Sequence, residues 1–409
     1  MAPGLPDFAR LRASFDGPIW LKAAEARGLR SIQVTEEENT FMGFKCGILG
    51  LSNVGKSTLF NALTATAAAQ ASNYPFSTIE PNVGEVLVPD PRLEMLAKLA
   101  NSAKIKPTRL TFVDIAGLVS GASRGEGLGN QFLAHVREAD AIAHVVRCFK
   151  DADVAHVSGT IDPVADIDTI ETELMLADLD SLERRVDNLA KKAKGIDRDA
   201  SEAKQTLDLV ERSLVLLREG KPARLVERAP EEEKPFHMLG LLTSLPVLYV
   251  CNVDEASAAS GNEFSRKVEA RAREEGAACV VISAKIEAEI AVLPPDERRE
   301  YLAAMGLREA GLDRLIRAGY ALLDLITYFT AGPKEAAAWT VTRGTKAPQA
   351  AAVIHSDFER GFIRAETIAY DDYVTFGGES GARDAGKMRL EGKAYVVADG
   401  DVMHFRFAT

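Results

Sequence analysis

Short apolar runs alternate with longer amphipathic stretches along most of the chain. The runs at 44–49, 109–113, 141–148, 247–251 and 278–282 are rich in Val, Ile and Leu, and stretches of helical period separate them. Such runs are typical of strands that are buried on both faces of a parallel sheet. The pattern therefore predicts an α/β fold class, with a doubly wound sheet that binds ligands at the carboxyl edge of its strands.

The pattern changes between residues 166 and 219, where apolar residues recur every three or four positions on two successive seams. These are Met175, Leu179, Leu182, Val186 and Leu189, followed by Leu207, Val210, Leu214 and Leu217. Because a charged segment with Gly195 separates the seams, we expect an inserted antiparallel helical hairpin. Its role stays open between plain packing and macromolecular docking. The basic run Lys191–Lys194 is either a solvated tip or an RNA contact.

The end of the chain has a third pattern. Apolar spacing predicts a helix at 320–329, Gly332-Pro333 then breaks the chain, and the segments AWTVTRG, GFIRAETIAY, KAYVVADGD and MHFRF predict a compact β-rich domain. Residues 331–409 contain ten basic and eleven acidic residues, so they are far less acidic than the rest. Some of the basic residues either form one RNA-binding face or belong to an evenly mixed surface; they are Arg343, Lys346, Lys387, Arg389 and Lys393.

Composition narrows the classes of function. The chain has 409 residues, of which 46% are apolar and 27% charged, as in a globular protein of two or three domains. Its net charge of −11 argues against binding nucleic acid through bulk charge, so we expect no DNA partner. Polar residues and Pro246 interrupt the longest apolar stretch, so we expect no membrane span. Four separated cysteines without a CxxC pair predict a reducing, cytoplasmic compartment, without disulfides or a zinc site.

The first 41 residues differ in character from the rest of the chain. They combine Pro3, Pro6 and Pro18 with an apolar patch and the acidic run Glu36–Glu38, which fits neither a secretory signal nor a transit peptide. Two interpretations stay open: a flexible appended arm, or a start of translation at Met42.

A glycine-rich motif connects the first predicted strand to a helical pattern. The segment Gly50–Ser57 matches GxxxxGK[ST] in its required context of strand, loop and helix. Gly50 and Gly55 allow backbone N–H groups to wrap phosphates, Lys56 bridges the outer phosphates, and the Ser57 hydroxyl ligates Mg²⁺. The motif predicts a binding site for a nucleotide with magnesium.

A second motif supports the same site. Strand 109–113 ends in Asp114-Ile-Ala-Gly117, where Asp114 is expected to hold Mg²⁺ through water and the Gly117 N–H to contact a γ-phosphate. Thr78, which lies between the two motifs, is a further expected magnesium ligand. Alone, DxxG is a weak signal; after a phosphate loop it is a strong one.

Together these segments resemble the YchF-type Obg-like ATPases. The resemblance rests on GLSNVGKSTLFNALT, NYPFSTIEPNVG, DIAGLVSGASRGEGLGNQFL and HVVRCF, and on a tail similar to that family's TGS domain. It covers Met42 to Thr409 and implies a magnesium-dependent nucleotide hydrolase that prefers ATP and associates with the ribosome. Two alternatives stay open: a GTPase of the same class, and a nucleotide-gated ribosome-binding module with negligible hydrolysis.

Base choice depends on the ends of two further strands. Asn252–Glu255 stands where GTPases have NKxD, and Ser283–Lys285 corresponds to SAK. Glu255 replaces the aspartate that accepts two hydrogen bonds from guanine, and Val253 replaces the lysine that covers the base. Both changes favour adenine, because hydrogen-bonded sites discriminate steeply. A shift of one residue would bring Asp254 to the guanine-reading position.

Water activation needs a group other than the glutamine of Ras-like GTPases, because Leu118 stands in its place. Asn53 matches the asparagine that coordinates K⁺ in cation-dependent relatives of the class. The resemblance suggests His156 for a catalytic role, and His135 is the weaker alternative. Lys56, His156 and Asn53 are thus the expected catalytic residues.

The complete prediction has two parts. The nucleotide is expected to contact Gly50, Asn53, Val54, Gly55, Lys56, Ser57, Thr58, Gly117, Asn252, Val253, Glu255, Ser283 and Ala284. The expected domains are an N-terminal extension (1–41), a nucleotide-binding domain in two parts (42–165 and 236–325), the inserted hairpin (166–235) and a TGS domain (326–409).

Overall fold

Two six-stranded sheets organise the residues that this computed structural model describes, which are 44–71, 83–115, 128–151 and 160–408. The strands are β1 (Lys45–Leu49), β2 (Val83–Leu87), β3 (Ile105–Lys106), β4 (Arg109–Asp114), β5 (Ala141–Arg147), β6 (Val247–Asn252), β7 (Ala278–Ile282), β8 (Leu325–Ala331), β9 (Ala336–Thr342), β10 (Phe362–Ala369), β11 (Arg389–Glu391) and β12 (Asp401–Phe407).

The helices of the same residues lie between and after these strands. They are α1 (Lys56–Ala71), α2 (Pro91–Leu99), α3 (Leu128–Arg137), α4 (Pro163–Lys192), α5 (Arg198–Arg218), α6 (Glu233–His237), α7 (Glu263–Glu275), α8 (Ala284–Ile290), α9 (Pro295–Ala304), α10 (Gly311–Leu322), α11 (Ala347–Ile354), α12 (Ser356–Arg360), α13 (Tyr370–Thr375) and α14 (Glu379–Asp384). None of these described helices combines the length and the apolar composition that a membrane span requires.

The first sheet has the strand order β2-β4-β1-β5-β6-β7. All its neighbours pair in parallel except β2, which pairs antiparallel with β4. Its central strands are buried because their apolar side chains pack against helices. The predicted doubly wound parallel sheet is thus confirmed, and the carboxyl ends of β1, β4, β6 and β7 lie along one edge.

Helices α4 and α5 form the predicted hairpin between β5 and β6, and Leu182 packs with Val210, Leu214 and Leu217. Buried Asp178 anchors α4 to the sheet, since its carboxylate accepts hydrogen bonds from the backbone N–H groups of Leu242 and Thr243, both at 2.8 Å. The hairpin therefore starts from a fixed base beside β6.

The second sheet has the order β11-β10-β12-β8-β9-β3. The predicted helix at 320–329 is wrong in its second half, because α10 ends at Leu322 and β8 begins at Leu325. Asp324, with a φ of 48°, adopts the left-handed conformation that ends the helix. A short apolar run suits a buried strand as well as a helix, and here pairing with β9 and β12 decides.

The C-terminal part is also less purely β than predicted. Four short helices, α11 to α14, lie between its strands. The segment KAYVVADGD is not a strand: it forms turns with one isolated bridge between Lys346 and Val396. Asp401 fixes these turns, because its carboxylate accepts hydrogen bonds from the Tyr395 hydroxyl at 2.6 Å and the Ala398 N–H at 2.9 Å.

The segment between β2 and β4 belongs to the core of the second sheet. Leu93 and Leu96 of α2 pack with Phe329, and Ile105 of β3 pairs in parallel with Ala336 of β9. A segment inside the predicted first part of the nucleotide-binding domain thus completes the C-terminal sheet.

The four cysteines are free thiols. Cys46, Cys148 and Cys251 are buried and Cys279 is partly buried, as expected for residues in or beside core strands. The sulfur atoms of Cys251 and Cys279 lie 3.6 Å apart on neighbouring strands.

Candidate functional site

The phosphate loop connects β1 to α1 and depends on two glycines. A Cβ atom at Gly50 would lie 2.4 Å from the Val145 carbonyl oxygen, and one at Gly55 only 2.2 Å from Asn252 Nδ2. Gly55 also has a φ of 98°, which disfavours any other residue. Asn53 adopts a left-handed φ of 62°, a conformation that asparagine tolerates better than most residues. The loop is therefore built from the residue types that its path requires.

Lys56 is buried at the start of α1, and its ammonium donates a hydrogen bond of 2.7 Å to the Leu51 carbonyl across the loop. Burial lowers the pKa of Lys56, while the nearby Asp114 carboxylate raises it. Ser57 and Thr58 follow on the exposed side of the first helical turn. The lysine charge thus lies under the loop in which phosphates are expected.

Asp114 ends β4, and Ile48 of β1 is its register partner. Its Oδ1 atom is buried without a hydrogen-bond partner among the described residues. Burial raises the pKa of Asp114, and the Lys56 charge acts in the opposite direction. A buried, unpaired carboxylate oxygen beside the phosphate loop suits a divalent cation, because Mg²⁺ prefers oxygen ligands.

Asn252 joins the phosphate loop to the base-reading segments. Its Nδ2 donates to the Val54 carbonyl at 2.9 Å, and its Oδ1 accepts from the Ala284 N–H at 2.9 Å. The Val253 side chain is buried in the core of the first sheet, so it does not cover a base as the lysine of NKxD does. Beside Ala284, the buried Ser283 hydroxyl has no hydrogen-bond partner in the described part of the chain.

The structure separates the roles of the two acids after Asn252. Asp254 caps the 3-10 turn Glu255–Ser257, and its Oδ1 accepts from the Ser257 N–H at 3.0 Å. The Glu255 carboxylate forms an ion pair with Lys285, which lowers the pKa of Glu255. Glu255 is therefore the acid that is available at the rim of the expected base site, which the segments Asn252–Glu255 and Ser283–Lys285 border. The alternative in which Asp254 takes the guanine-reading position is disfavoured.

Three predicted site residues, Thr78, Gly117 and His156, lie outside the described residues, as does Leu118. Among the described ones, the structure brings together Lys56 with Asp114, and Asn252 with Val54 and Ala284. His135 lies in the last turn of α3.

Sequence reasoning missed Arg147, which is 1% exposed at the end of β5. Its guanidinium stacks over the Phe149 ring at 4.6 Å and donates to the carbonyls of Phe149 and Asp151, each at 3.3 Å. It thereby fixes the backbone of Phe149 and Asp151 after the end of β5. The sequence does contain a signal for this residue: an arginine inside the apolar run HVVRCF must find buried polar partners.

Comparison with known proteins places the chain in a family. The model of the YchF GTPase C-terminal family, described as "Protein of unknown function (DUF933)", matches residues 325–408, and that of "50S ribosome-binding GTPase" matches residues 45–179. The Ribosome-binding ATPase YchF of Haemophilus influenzae is 58% identical over 366 residues, which cover 90% of this chain and 99% of that protein. The chain belongs to the YchF family.

Other YchF proteins extend the comparison. The Ribosome-binding ATPase YchF of Bacillus subtilis is 54% identical, over 90% of this chain and all of that protein. The structure of the Schizosaccharomyces pombe YchF GTPase superposes with a TM-score of 0.81 at 36% identity, over 89% of this chain and 98% of that one. The predicted YchF family and fold class are thus confirmed. The names of these relatives differ between ATPase and GTPase, so they leave the choice of base to the base-reading residues of this chain.

Proposed function

We propose that this chain is a magnesium-dependent ATPase that associates with the ribosome in the cytoplasm. The observation that carries the hydrolase is the buried Lys56 charge near the Asp114 carboxylate at the phosphate loop. The Oδ1 atom of that carboxylate has no hydrogen-bond partner among the described residues. The names of the bacterial YchF relatives support the ribosome as partner. Single-turnover hydrolysis, measured with and without ribosomes, tests the proposal; negligible hydrolysis in both would leave a nucleotide-gated binding module.

Magnesium would be held by Ser57 and Thr78 directly and by Asp114 through water. When bound, Mg²⁺ neutralises charge on the outer phosphates. The chain itself supplies the Lys56 ammonium and the backbone donors of the loop. Replacing Lys56 with Ala is expected to abolish hydrolysis and weaken nucleotide binding while the fold stays intact; an unchanged turnover number would exclude the loop from the active site.

Preference for ATP is supported by the donors and acceptors at the base end. The Ala284 N–H donates to Asn252, so this donor is already engaged within the protein. The Glu255 carboxylate at the rim is a hydrogen-bond acceptor. Adenine offers an amine donor at position 6, where guanine has an acceptor. Titration with labelled ATP and GTP tests the preference, and tenfold tighter GTP binding would contradict it.

Potassium is proposed as a second cation, coordinated by Asn53, with His156 positioning water. The left-handed Asn53 backbone at the loop supports the first assignment. Hydrolysis should be slow and should rise when K⁺ replaces Na⁺. It should fall in Asn53→Ala and His156→Ala without a comparable loss of ATP affinity. Potassium-indifferent turnover would eliminate the ion, and full activity of His156→Ala would eliminate that role.

The hairpin tip is the better-supported ribosome contact. Lys191, Lys192 and Lys194 are exposed and form no ion pair with the described residues, and Ile196 beside them is fully exposed. By contrast, several basic residues of the proposed TGS domain are neutralised locally: Arg343 pairs with Asp324, Lys387 with Asp372 and Arg389 with Asp401.

Co-sedimentation with ribosomes tests this contact. Replacing the three hairpin lysines with Glu should reduce binding strongly and flatten its salt dependence, because each lysine that contacts RNA releases counterions. The control replaces the exposed Lys346 and Lys393 of the C-terminal part with Glu. Equal loss in both variants would assign the contact to overall charge, and loss only in the control would assign it to the C-terminal part.

A further inference from the structure

The ion pair between Lys285 and Glu255 joins the two segments that border the base. Glu255 opens the 3-10 turn that Asp254 caps, and Lys285 lies in the first turn of α8, directly after Ala284. Ala284 is itself held by the Asn252 side chain. The Asn252 amide thus holds the segment of Lys285, and the Asp254 cap holds the turn of Glu255. The side chain of Glu255 is 37% exposed and that of Lys285 is 68% exposed, so a ligand can reach them.

The pair places a cation and an anion side by side at the rim. Each member of the pair stabilises the charge of the other. Lys285 lowers the pKa of Glu255, and Glu255 raises the pKa of Lys285. Glu289 and Tyr301 are the further charged or titratable groups that act on Lys285. The rim therefore presents one ammonium donor and one carboxylate acceptor at neutral pH.

Adenine presents the complementary pair along its edge, an amine donor at N6 next to an acceptor at N1. Guanine presents an acceptor at O6, a donor at N1 and a second donor at N2. In GTPases a free carboxylate accepts both guanine donors, but here one Glu255 oxygen is bound to Lys285. If guanine bound with O6 toward the lysine, its N2 amine would lack an acceptor, and an unmade hydrogen bond reduces affinity.

We infer that Lys285 is a specificity-determining residue, which donates to adenine N1 while it holds Glu255 in position to accept from the N6 amine. The inference rests on the proposed ATP preference and deepens it. It assigns to the lysine of the SAK-like segment a role that neither the family match nor the phosphate loop requires.

Two ATP analogues separate the two contacts. 1-Deaza-ATP lacks the N1 acceptor, and purine riboside triphosphate lacks the N6 amine. The intact protein should bind each about tenfold more weakly than ATP, as expected for one lost hydrogen bond at a partly exposed site. In Lys285→Met the difference between ATP and 1-deaza-ATP should vanish, whereas sensitivity to the missing amine should persist in part.

Controls distinguish this role from general loss of charge or fold. Lys267→Met removes an exposed lysine of α7 and should bind all four nucleotides, ATP, GTP and the two analogues, like the unmodified protein. Thermal unfolding should show that Lys285→Met remains folded. If Lys285→Met discriminates 1-deaza-ATP and GTP as the unmodified protein does, the inference is wrong even though ATP preference stands. If the unmodified protein prefers GTP, the proposed function itself fails.

Discussion

The hydroxyl of Thr108 lies 2.5 Å from the hydroxyl of Thr340, although 232 positions separate the two residues. Thr108 directly precedes β4, the strand that ends at Asp114, and Thr340 lies in β9 of the second sheet. Tyr320 extends this contact, since its hydroxyl donates to Thr340 at 3.0 Å and is hydrogen-bonded to Thr327 at 2.7 Å. A chain of hydroxyl groups therefore joins the C-terminal sheet to the strand that carries the candidate magnesium ligand.

Removing the Tyr320 hydroxyl should weaken this junction. Tyr320→Phe leaves the hydroxyls of buried Thr327 and partly buried Thr340 without a shared partner, at a cost of about 1 kcal/mol. The midpoint of urea unfolding should fall accordingly. The control is Tyr370→Phe, because the half-buried Tyr370 hydroxyl makes no hydrogen bond with the described residues. Equal midpoints for both variants would show that the hydroxyl chain contributes nothing.

A buried ionic cluster anchors the hairpin to the first sheet. Arg224, 16% exposed, bonds Glu171 of α4 at 2.5 Å and Glu275 of α7 at 3.0 Å. The Tyr249 hydroxyl of β6 donates to the same Glu275 carboxylate at 2.8 Å. The cluster thus connects the hairpin, a strand of the sheet and a flanking helix through one guanidinium.

Arg224→Met should lower the free energy of unfolding by about 3 kcal/mol, because the buried Glu171 carboxylate then keeps, among the described residues, only its 3.5 Å contact with Arg271. Adding Glu171→Gln should recover part of that loss, since it removes the uncompensated charge. Chemical denaturation of the two single variants and the double variant forms the cycle that measures the coupling. Strict additivity of the three values would contradict the coupling.

The features that the sequence predicted correctly are those that depend on local patterns of residues. The phosphate loop, the strands of the first sheet and the hairpin each depend on residues that are close along the chain, such as Gly50 to Ser57. The placement of Ile105 against Ala336 depends on contacts between distant segments, for which no local pattern exists. The apolar run 325–331 suits two structures, and only its neighbours in the sheet decide between them.

In the candidate site, too, local motifs predict some features, whereas others depend on contacts between distant segments. The residue types of Lys56, Asp114 and Asn252 were evident from motifs, because their chemistry fixes their spacing. The pairing of Glu255 with Lys285 was not evident, because it joins two loops whose approach depends on the packing of β6 and β7.

Thr367 offers a test of polar burial in the second sheet. Its side chain is fully buried on β10, and its hydroxyl lacks a hydrogen-bond partner among the described residues. Thr367→Val replaces this hydroxyl with a methyl group of similar size, so the free energy of unfolding should rise by about 1 kcal/mol. Thr367→Ser keeps the hydroxyl, loses a methyl group and should be less stable than the unmodified protein. A valine variant that unfolds at lower denaturant would indicate a hidden partner for the hydroxyl.

Asp114→Asn should separate stability from function. Burial raises the pKa of Asp114 even with Lys56 nearby, so the ionised carboxylate disfavours the folded state above that raised pKa. Without magnesium and nucleotide, the asparagine variant should therefore unfold at a higher temperature at pH 7. The advantage should shrink as the pH falls to about 4, where an ordinary aspartate also becomes protonated.

The same substitution should abolish magnesium-dependent nucleotide binding, because the amide cannot replace the charge that attracts the cation. Magnesium affinity of the unmodified protein should also fall with decreasing pH, since protons compete for the Asp114 oxygens. Thermal unfolding with and without Mg²⁺ and ATP measures both effects on one instrument. Asp187→Asn, at an exposed position on α4, is the matched control and should change neither. A lower unfolding temperature for Asp114→Asn at pH 7, combined with an intact shift on adding Mg²⁺ and ATP, would mean that the carboxylate serves the fold and not the cation.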